Sequence, residues 1–424
     1  MVTPTPSAPP MQKQFVLQLD NGLTLVAEQL ANVRSAAMTL LVKAGSANDP
    51  AQASGSANVL SDWIMRGAGK RDNRALTDYL DSLGIHRSTA ADTVFMRFSA
   101  SMLADNLPAV LEVYADVVQR PHLPETGFAP ARDLAIQQID AIEDEPSQKL
   151  NLLLKARHFP DPFGRPTVGD RAHLTALTAE ALHTDYQKRF TPKQAILAVA
   201  GAIDFATVAD LVRKHFGSWK PTEPVELPVH KAPRGAMHIA QQTNQVQIGL
   251  AYDTVPESDP DSIAVQLAVG VLSGGMGARL FSQIREKQGL CYAIHAGYSS
   301  LKTQGAIFGY SGTAPDRAQQ TLDAFLFELD KITKGAEADE LQRAKTGMKS
   351  RVIMNGESSA ARAGAIAHDF YHYGRPRSLD ELRQKIEEVS LEKLNEFLAR
   401  RGSPAKTIVT IGPAPLKVPA QTLS

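Results

Sequence analysis

Two stretches in the first half of this chain are echoed in the second, in the same order. "LPAVLEVYADVVQRPHLPETGFAPARDLAIQQI" in the first half is echoed by "AQQTLDAFLFELDKITKGAEADELQRAKTGMKSRVI" in the second. "LTALTAEALHTDYQKRFTPKQAILAVAGAID" is echoed by "LDELRQKIEEVSLEKLNEFLARRGSPAKTIVTIGP". Each echo is a helix, a turn, and then a helix or a strand. Repetition over so long a period constrains the fold more than any single motif, because each copy must be built to the same plan. Between the copies lies "KPTEPVELPVHKAPRG", residues 220–235, which carries four prolines and no helical period and reads as a linker. The expected organisation is a disordered lead-in at 1–13, a first half at 14–219, the linker, and a second half at 236–424. Each half, at about 150 residues or more, is long enough to bury its own core.

Local patterns describe what each half contains. "FVLQLDNGLTLVAEQ" alternates apolar and polar residues about Asn21-Gly22, which predicts a hairpin closed by a two-residue primed turn. "AAMTLLVKAGS" is apolar almost throughout and predicts a central strand, and "TVFMRFSA" predicts another strand. Helical periodicity covers 55–66, 73–83 and "LPAVLEVYADVVQ", with Val110, Leu111, Tyr114, Val117 and Val118 on one face and Pro121 as the stop. A long helix follows over about 125–145. The fold class is therefore α+β. Two homologous α/β halves, each a mostly antiparallel sheet with helices on one face, are expected to be joined by the extended linker in a clamshell-like arrangement.

Composition excludes several functions. Lys+Arg and Asp+Glu both number 45, so the formal net charge is zero and no basic excess points to nucleic acid or to an anionic membrane surface. The one cysteine, Cys291, rules out a disulfide framework and a cysteine-based zinc site. It lies in an apolar stretch and reads as a buried, inert thiol. "MVTPTPSAPPMQKQF" shows no basic start followed by an apolar core, so no signal peptide is visible. No apolar run approaches the roughly 20 residues of a membrane helix. The cytoplasm is the expected compartment, with the periplasm as the alternative if a signal has been removed.

Two segments carry chemistry. "GSANVLSDWIMRGAG" has the layout of an active-site helix, with Asn58, Ser61 and Asp62 at the spacing of a metal-binding motif, yet none of the three is a His or a Glu. "ARLFSQIREKQGLCY" places Arg285 and Tyr292 seven residues apart. A fixed guanidinium and a phenol can bind a substrate carbonyl and stabilise an oxyanion as charge develops on it. Other segments are weaker. "HDFYH" sets His368 and His372 four apart around Asp369, on one face if helical, but lacks the Glu and the third ligand of a zinc peptidase, and a satisfied pair at a helix end is the simpler reading. "SGGMG" lacks the spacing of a phosphate loop, and "EDEP" reads as a solvated helix end.

The two-half layout, the "GSANVLSDWIMRGAG" helix after the third strand and "GGMGARLFSQIREKQGLCYAI" together resemble the pitrilysin family of zinc peptidases, which includes insulin-degrading enzyme and the mitochondrial processing peptidase. The resemblance runs from about residue 15 to 413. It implies that the first half should carry H-x-x-E-H, with two His on zinc, a Glu that activates water and a second Glu completing the metal shell. Those positions fall on Asn58, Ser61 and Asp62, with the distal Glu on or near Gln138, and all four are substituted. It also implies that Arg285 and Tyr292 contact substrate at a zinc site, and that "SGGMG" is a shortened form of a glycine-rich loop. "HRSTAADTVFMRFSA" resembles the strand that pairs with a bound peptide. The implied protein is a non-catalytic, peptide-binding subunit, inactive alone and without zinc of its own. Its partner would be a sister chain with H-x-x-E-H and zinc, in a heterodimer. A proteolytically dead scaffold and a standalone peptide-binding protein are the rival expectations.

Overall fold

The computed structural model describes residues 12–223 and 226–423. Of the lead-in expected at 1–13, residues 1–11 lie outside the described residues, as do 224 and 225 within the linker. The chain forms two compact units. Among the described residues, the first comprises 12–136, 167–223, 226 and 355–378, and the second 137–166, 227–354 and 379–423.

The first unit is built on strands β1 (Lys13–Gln18), β2 (Thr24–Gln29) and β3 (Ser35–Val42), a two-residue ribbon β4 (Gly67–Ala68) and β5 (Arg71–Asp72), and strands β6 (His86–Ala91), β7 (Met96–Leu103) and β8 (Ile196–Gly201). The main sheet has the order β1-β2-β8-β3-β7-β6. Only β2 and β8 pair in parallel, and every other pair is antiparallel. The second unit has strands β9 (Ala236–Ala240), β10 (Val246–Thr254), β11 (Ala293–Ser300), β12 (Gly305–Thr313) and β13 (Lys406–Gly412), in the order β11-β12-β10-β13-β9. Here β13 and β9 pair in parallel and the rest antiparallel. With β1 set aside, the two sheets have the same strand order and the same single parallel pair. The repetition read from the sequence is thus a repetition of topology.

The hairpin β1–β2 forms as expected, but its turn differs. The register Gln18↔Thr24 leaves five residues in the loop, and the Gly22 amide donates to Leu19 O at 2.9 Å. Gly22 has φ +93°, while Asn21 is not among the positive-φ residues. A primed turn needs positive φ at both positions, so this is instead a four-residue turn ended by a left-handed glycine. Asn21 is drawn away by tertiary contacts, since its amide donates to Phe216 O at 2.8 Å and to Trp219 O at 3.2 Å.

Each sheet buries both faces. Strands β3, β8 and β13 are buried along nearly their whole length. One face packs on the helices of its own half. The other is covered by a helix that the sequence places in the other half. The helix Ser359–Tyr373 lays Ala363, Ile366 and Ala367 on Val26, Ala37, Leu41, Ile196 and Ala198 of the first sheet. The helix Pro146–His158 lays Leu150 and Leu154 on Ala251, Val409 and Ile411 of the second. Residues of opposite parity on the same strands, Met38 and Leu40 or Ile408, are buried as well, as the two-residue period of a strand requires. The two exchanged helices occupy the same place in the repeat, each following a long helix, Glu125–Glu143 or Ala338–Gly356. The contiguous halves 14–219 and 236–424 therefore differ from the compact units by one exchanged segment in each direction. A buried ion pair holds the exchange in the first unit: Arg362 donates to Glu28 through Nε and Nη2, both at 2.7 Å.

Candidate functional site

In the first unit, the segment 55–69 is a helix, Ser56–Trp63, entered through Gly55 at φ +96°. A side chain at Gly55 would meet Gly169 Cα at 2.8 Å, so the entry needs a glycine. The helix start is held by a buried carboxylate. Asp49 accepts from the amides of Gly55 (2.7 Å) and Ala57 (2.9 Å) and from Ser56 Oγ (2.9 Å). Arg189, itself buried and paired with Asp185, donates to Asp49 at 3.0 Å and to Ser56 Oγ at 3.0 Å. At the other end, Trp63 Nε1 donates to Pro124 O at 2.9 Å, and its ring meets Phe128 edge-on at 5.3 Å. None of these anchors except the helix itself is visible from local pattern. Asp49, Arg189 and Pro124 lie outside the helix they hold, the last two far from it in sequence.

The polar residues of this helix do not suit zinc. Ser61 is buried and its hydroxyl donates back to Asn58 O at 2.7 Å, so it presents no base. Asp62 accepts from Arg66 Nε at 2.6 Å, an ion pair one turn on that occupies its carboxylate. Asn58 is half-buried and offers an amide. Gln138 is exposed on the helix Glu125–Glu143, in the part that clusters with the second unit. Zinc at a peptidase site asks for neutral imidazoles and a free carboxylate. A hydrogen-bonded hydroxyl, an amide and a neutralised carboxylate do not meet that demand, so these positions do not fit the metal.

In the second unit, the helix Ser262–Ser273 ends in the turn Gly274–Gly277, where Gly275 has φ +154° and Met276 is 74% exposed. The chain then enters Leu280–Glu286, a wide helical segment of the π type, marked by the Lys287 amide donating to Ser282 O at 3.1 Å. Single π turns recur at functional sites because they reposition the side chains that follow. Leu280 and Ile284 are fully buried and Leu290 nearly so, which pins one side of the segment to the core. Arg279 pins its start, donating from Nε and Nη2 to Glu340, both at 2.6 Å, and from Nη2 to Gly335 O at 3.0 Å. Burial alone would raise the Glu340 carboxyl, but its hydrogen bonds to Arg279 and to the Glu337 amide, with the Arg279 charge, leave it lowered. Sequence reasoning misses the Arg279–Glu340 anchor. Its only local signal is the Arg before Leu280.

Arg285 projects from this segment, and Tyr292 follows it, immediately before β11. Arg285 is exposed, with its guanidinium 5.0 Å from the centre of the Phe281 ring. Tyr292 is 61% exposed while its amide donates to Gly312 O at 2.9 Å, fixing its backbone to β12. A large ring held in solvent by a fixed backbone is available to a ligand. Between them Cys291 is buried, and burial pushes its thiol up against the opposing pull of a Ser311 hydrogen bond and the Arg285 charge. A raised thiol is a poor nucleophile, in line with the inert reading.

The remaining segments fall as follows. β6, within "HRSTAADTVFMRFSA", is one of the two edge strands of its sheet and alternates exposed and half-buried residues. Glu143 pairs with Lys149, and Asp144 and Glu145 are exposed, as a solvated helix end should be. "HDFYH" is helical, and Asp369 is engaged by Arg377 at 2.6 Å. Among the described residues no helix is long and apolar enough to cross a membrane.

Comparison with known proteins places this architecture. Residues 24–171 match the family model described as insulinase, peptidase family M16, and residues 176–348 match the one described as the peptidase M16 inactive domain. The chain belongs to the M16 peptidase family. The first match covers the helix with Asn58, Ser61 and Asp62, and the second covers Arg285 and Tyr292. The chain is similar to uncharacterized zinc proteases of Mycobacterium bovis, with 26% identity over 90% of each chain, and of Rickettsia felis, with 25% identity over 96% of this chain and all of that one. Among solved structures it is similar to a peptidase M16 inactive domain from Pseudomonas fluorescens, at TM-score 0.86 and 21% identity over 96% of this chain and 99% of that one. A protease from Helicobacter pylori is similar at TM-score 0.86 and 21% identity, over 95% and 99%. At that identity the solved structures speak for the fold.

Proposed function

We propose that this chain is the non-catalytic, substrate-binding subunit of a two-chain zinc endopeptidase, inactive alone. In this reading a sister M16 chain brings H-x-x-E-H and the zinc, and Arg285 and Tyr292 act on the substrate bound there. The observation that carries it is the exposure of Arg285 and Tyr292, each on backbone tied to the core, in a chain whose Ser61 and Asp62 are turned to internal hydrogen bonds. The names of the relatives, zinc proteases, support the reaction class. Arg285 would bind the scissile carbonyl, and Tyr292 would donate a hydrogen bond as that oxygen gains charge. The outer side of β6 would take an extended peptide by main-chain pairing, which tolerates many sequences. The balanced net charge fits a peptide partner and neither nucleic acid nor membrane. The same reading keeps the chain in the cytoplasm, with the periplasm as the alternative.

The test is reconstitution. The purified chain, a sister chain with H-x-x-E-H, and their mixture are assayed on a quenched peptide with and without a chelator. Activity confined to the mixture and abolished by the chelator is expected. Chelator-sensitive cleavage by this chain alone would defeat the proposal. An inactive but stable complex would favour a scaffold, and peptide binding by this chain alone with no complex would favour a standalone binder.

A further inference from the structure

One motif remains outside this function. We propose that His368 and His372 form a two-imidazole site for a divalent late transition-metal cation of the Cu2+, Ni2+ and Zn2+ class. They are the one pair among the chain's 11 histidines that stands four residues apart. Both lie within the helix Ser359–Tyr373, so the spacing puts them on one face, one turn apart. Their ring centres are 4.4 Å apart, and a ring nitrogen of each lies within 4.8 Å of the other's. Two nitrogens bound at about 2.0–2.1 Å to one tetrahedral cation stand roughly 3.3 Å apart, a spacing reached by a small rotation of the exposed ring.

The site is held in place. Ser358 caps the helix start by accepting from the Ala361 amide, and Gly374 closes its end at φ +72°. Ala363, Ile366 and Ala367 seat the same helix on the first sheet. Asp369 clamps the last turn, accepting from Arg377 Nε and from the Arg377 amide, each at 3.0 Å. His372 is buried and His368 exposed, so one ring is fixed by its surroundings and the other meets solvent, from which a cation would come. Imidazole pairs on a rigid helix suit borderline cations, and affinity should follow the order Co2+ below Ni2+ below Cu2+, with Zn2+ weaker than Cu2+. Asp369 is tied to Arg377 and is not a free base beside the pair, so the chemistry is binding and stapling of the final helical turn, not hydrolysis.

The test uses the full chain, stripped of metal, and does not depend on peptidase activity. Calorimetric titration with Ni2+ and Zn2+, and paramagnetic resonance with Cu2+, should show one equivalent bound, with two nitrogen ligands to Cu2+. His368→Ala loses an exposed ring and should fold, yet bind each cation at least roughly tenfold more weakly and lose the metal-induced rise in Tm. His372→Gln should lose the same equivalent. Asp62→Ala, at the other candidate metal position, should leave it unchanged. No stoichiometric equivalent in the wild-type chain, or unchanged affinity in His368→Ala, overturns the proposal, as would loss of binding in Asp62→Ala alone.

Discussion

The helix Ser56–Trp63 and the segment Leu280–Glu286 are both anchored by ion pairs, fully buried in the first and partly buried in the second, yet they present opposite chemistry. In the first, Asp49 and Arg189 fix the helix, while Ser61 and Asp62 spend their polar groups on Asn58 O and Arg66. In the second, Arg279 and Glu340 fix the segment, while Arg285 and Tyr292 stand in solvent. In both regions the anchoring groups are distinct from the candidate site residues. A fold can keep the frame of a site after its chemistry has changed, because the frame is stabilised by contacts that the reacting groups do not make.

Substitutions distinguish the two regions. The largest effect on stability should come from the frame of the first region. Asp49→Ala leaves buried Arg189 with Asp185 as its remaining carboxylate and takes the acceptor from the Gly55 and Ala57 amides, and should lower unfolding stability by about 2–3 kcal/mol in denaturant titration. A loss under about 1 kcal/mol would show that Asp49 is no anchor. Next is the chemistry of the second region. In the reconstituted pair, Arg285→Ala should lower turnover by about 10²–10³-fold, and Tyr292→Phe by less, with stability and assembly retained. Unchanged kinetics in both would remove the functional half of the comparison.

A smaller effect concerns acid. The Glu340 carboxyl is lowered in the folded chain, so it binds its proton less readily there than when unfolded. Its stabilising contribution is complete above the unfolded value of about 4.3 and is lost as pH falls through the lower folded value. Stability measured between about pH 5 and 3 should fall less steeply in Glu340→Gln than in the wild-type chain. Identical slopes would contradict the anchor. The smallest effect should be at Asp62. Its pair with Arg66 is partly exposed, and Asp62→Ala should change stability by no more than about 1 kcal/mol and leave reconstituted turnover intact. A large loss of turnover there would return a catalytic role to the first region.

The limits of sequence reading lie at identifiable residues. The strands at 35–42 and 96–103 and the helices at 56–63 and 107–119 follow from period and punctuation alone. The hairpin at 13–29 is legible, but its turn is decided by Asn21 reaching Phe216 and Trp219. In the candidate site, Arg285 and Tyr292 are legible as a motif, and the substitutions at Asn58, Ser61, Asp62 and Gln138 are legible letter by letter. Arg279–Glu340 and Asp49–Arg189 are not, since the partners are 61 and 140 residues apart.

Residue identity and short period are enough to read a duplicated α+β design, to see that Asn58, Ser61 and Asp62 are neither His nor Glu, and to find Arg285 and Tyr292. Those properties rest on residue identity and short-range period, which every stretch of chain carries within itself. The exchange of the helices Pro146–His158 and Ser359–Tyr373, the parallel pairs β2–β8 and β9–β13, and the choice of which polar groups face inward are visible in the folded chain alone. These depend on contacts between residues far apart in the chain, such as Glu28 and Arg362, and a local period carries no record of which distant surface covers an apolar face.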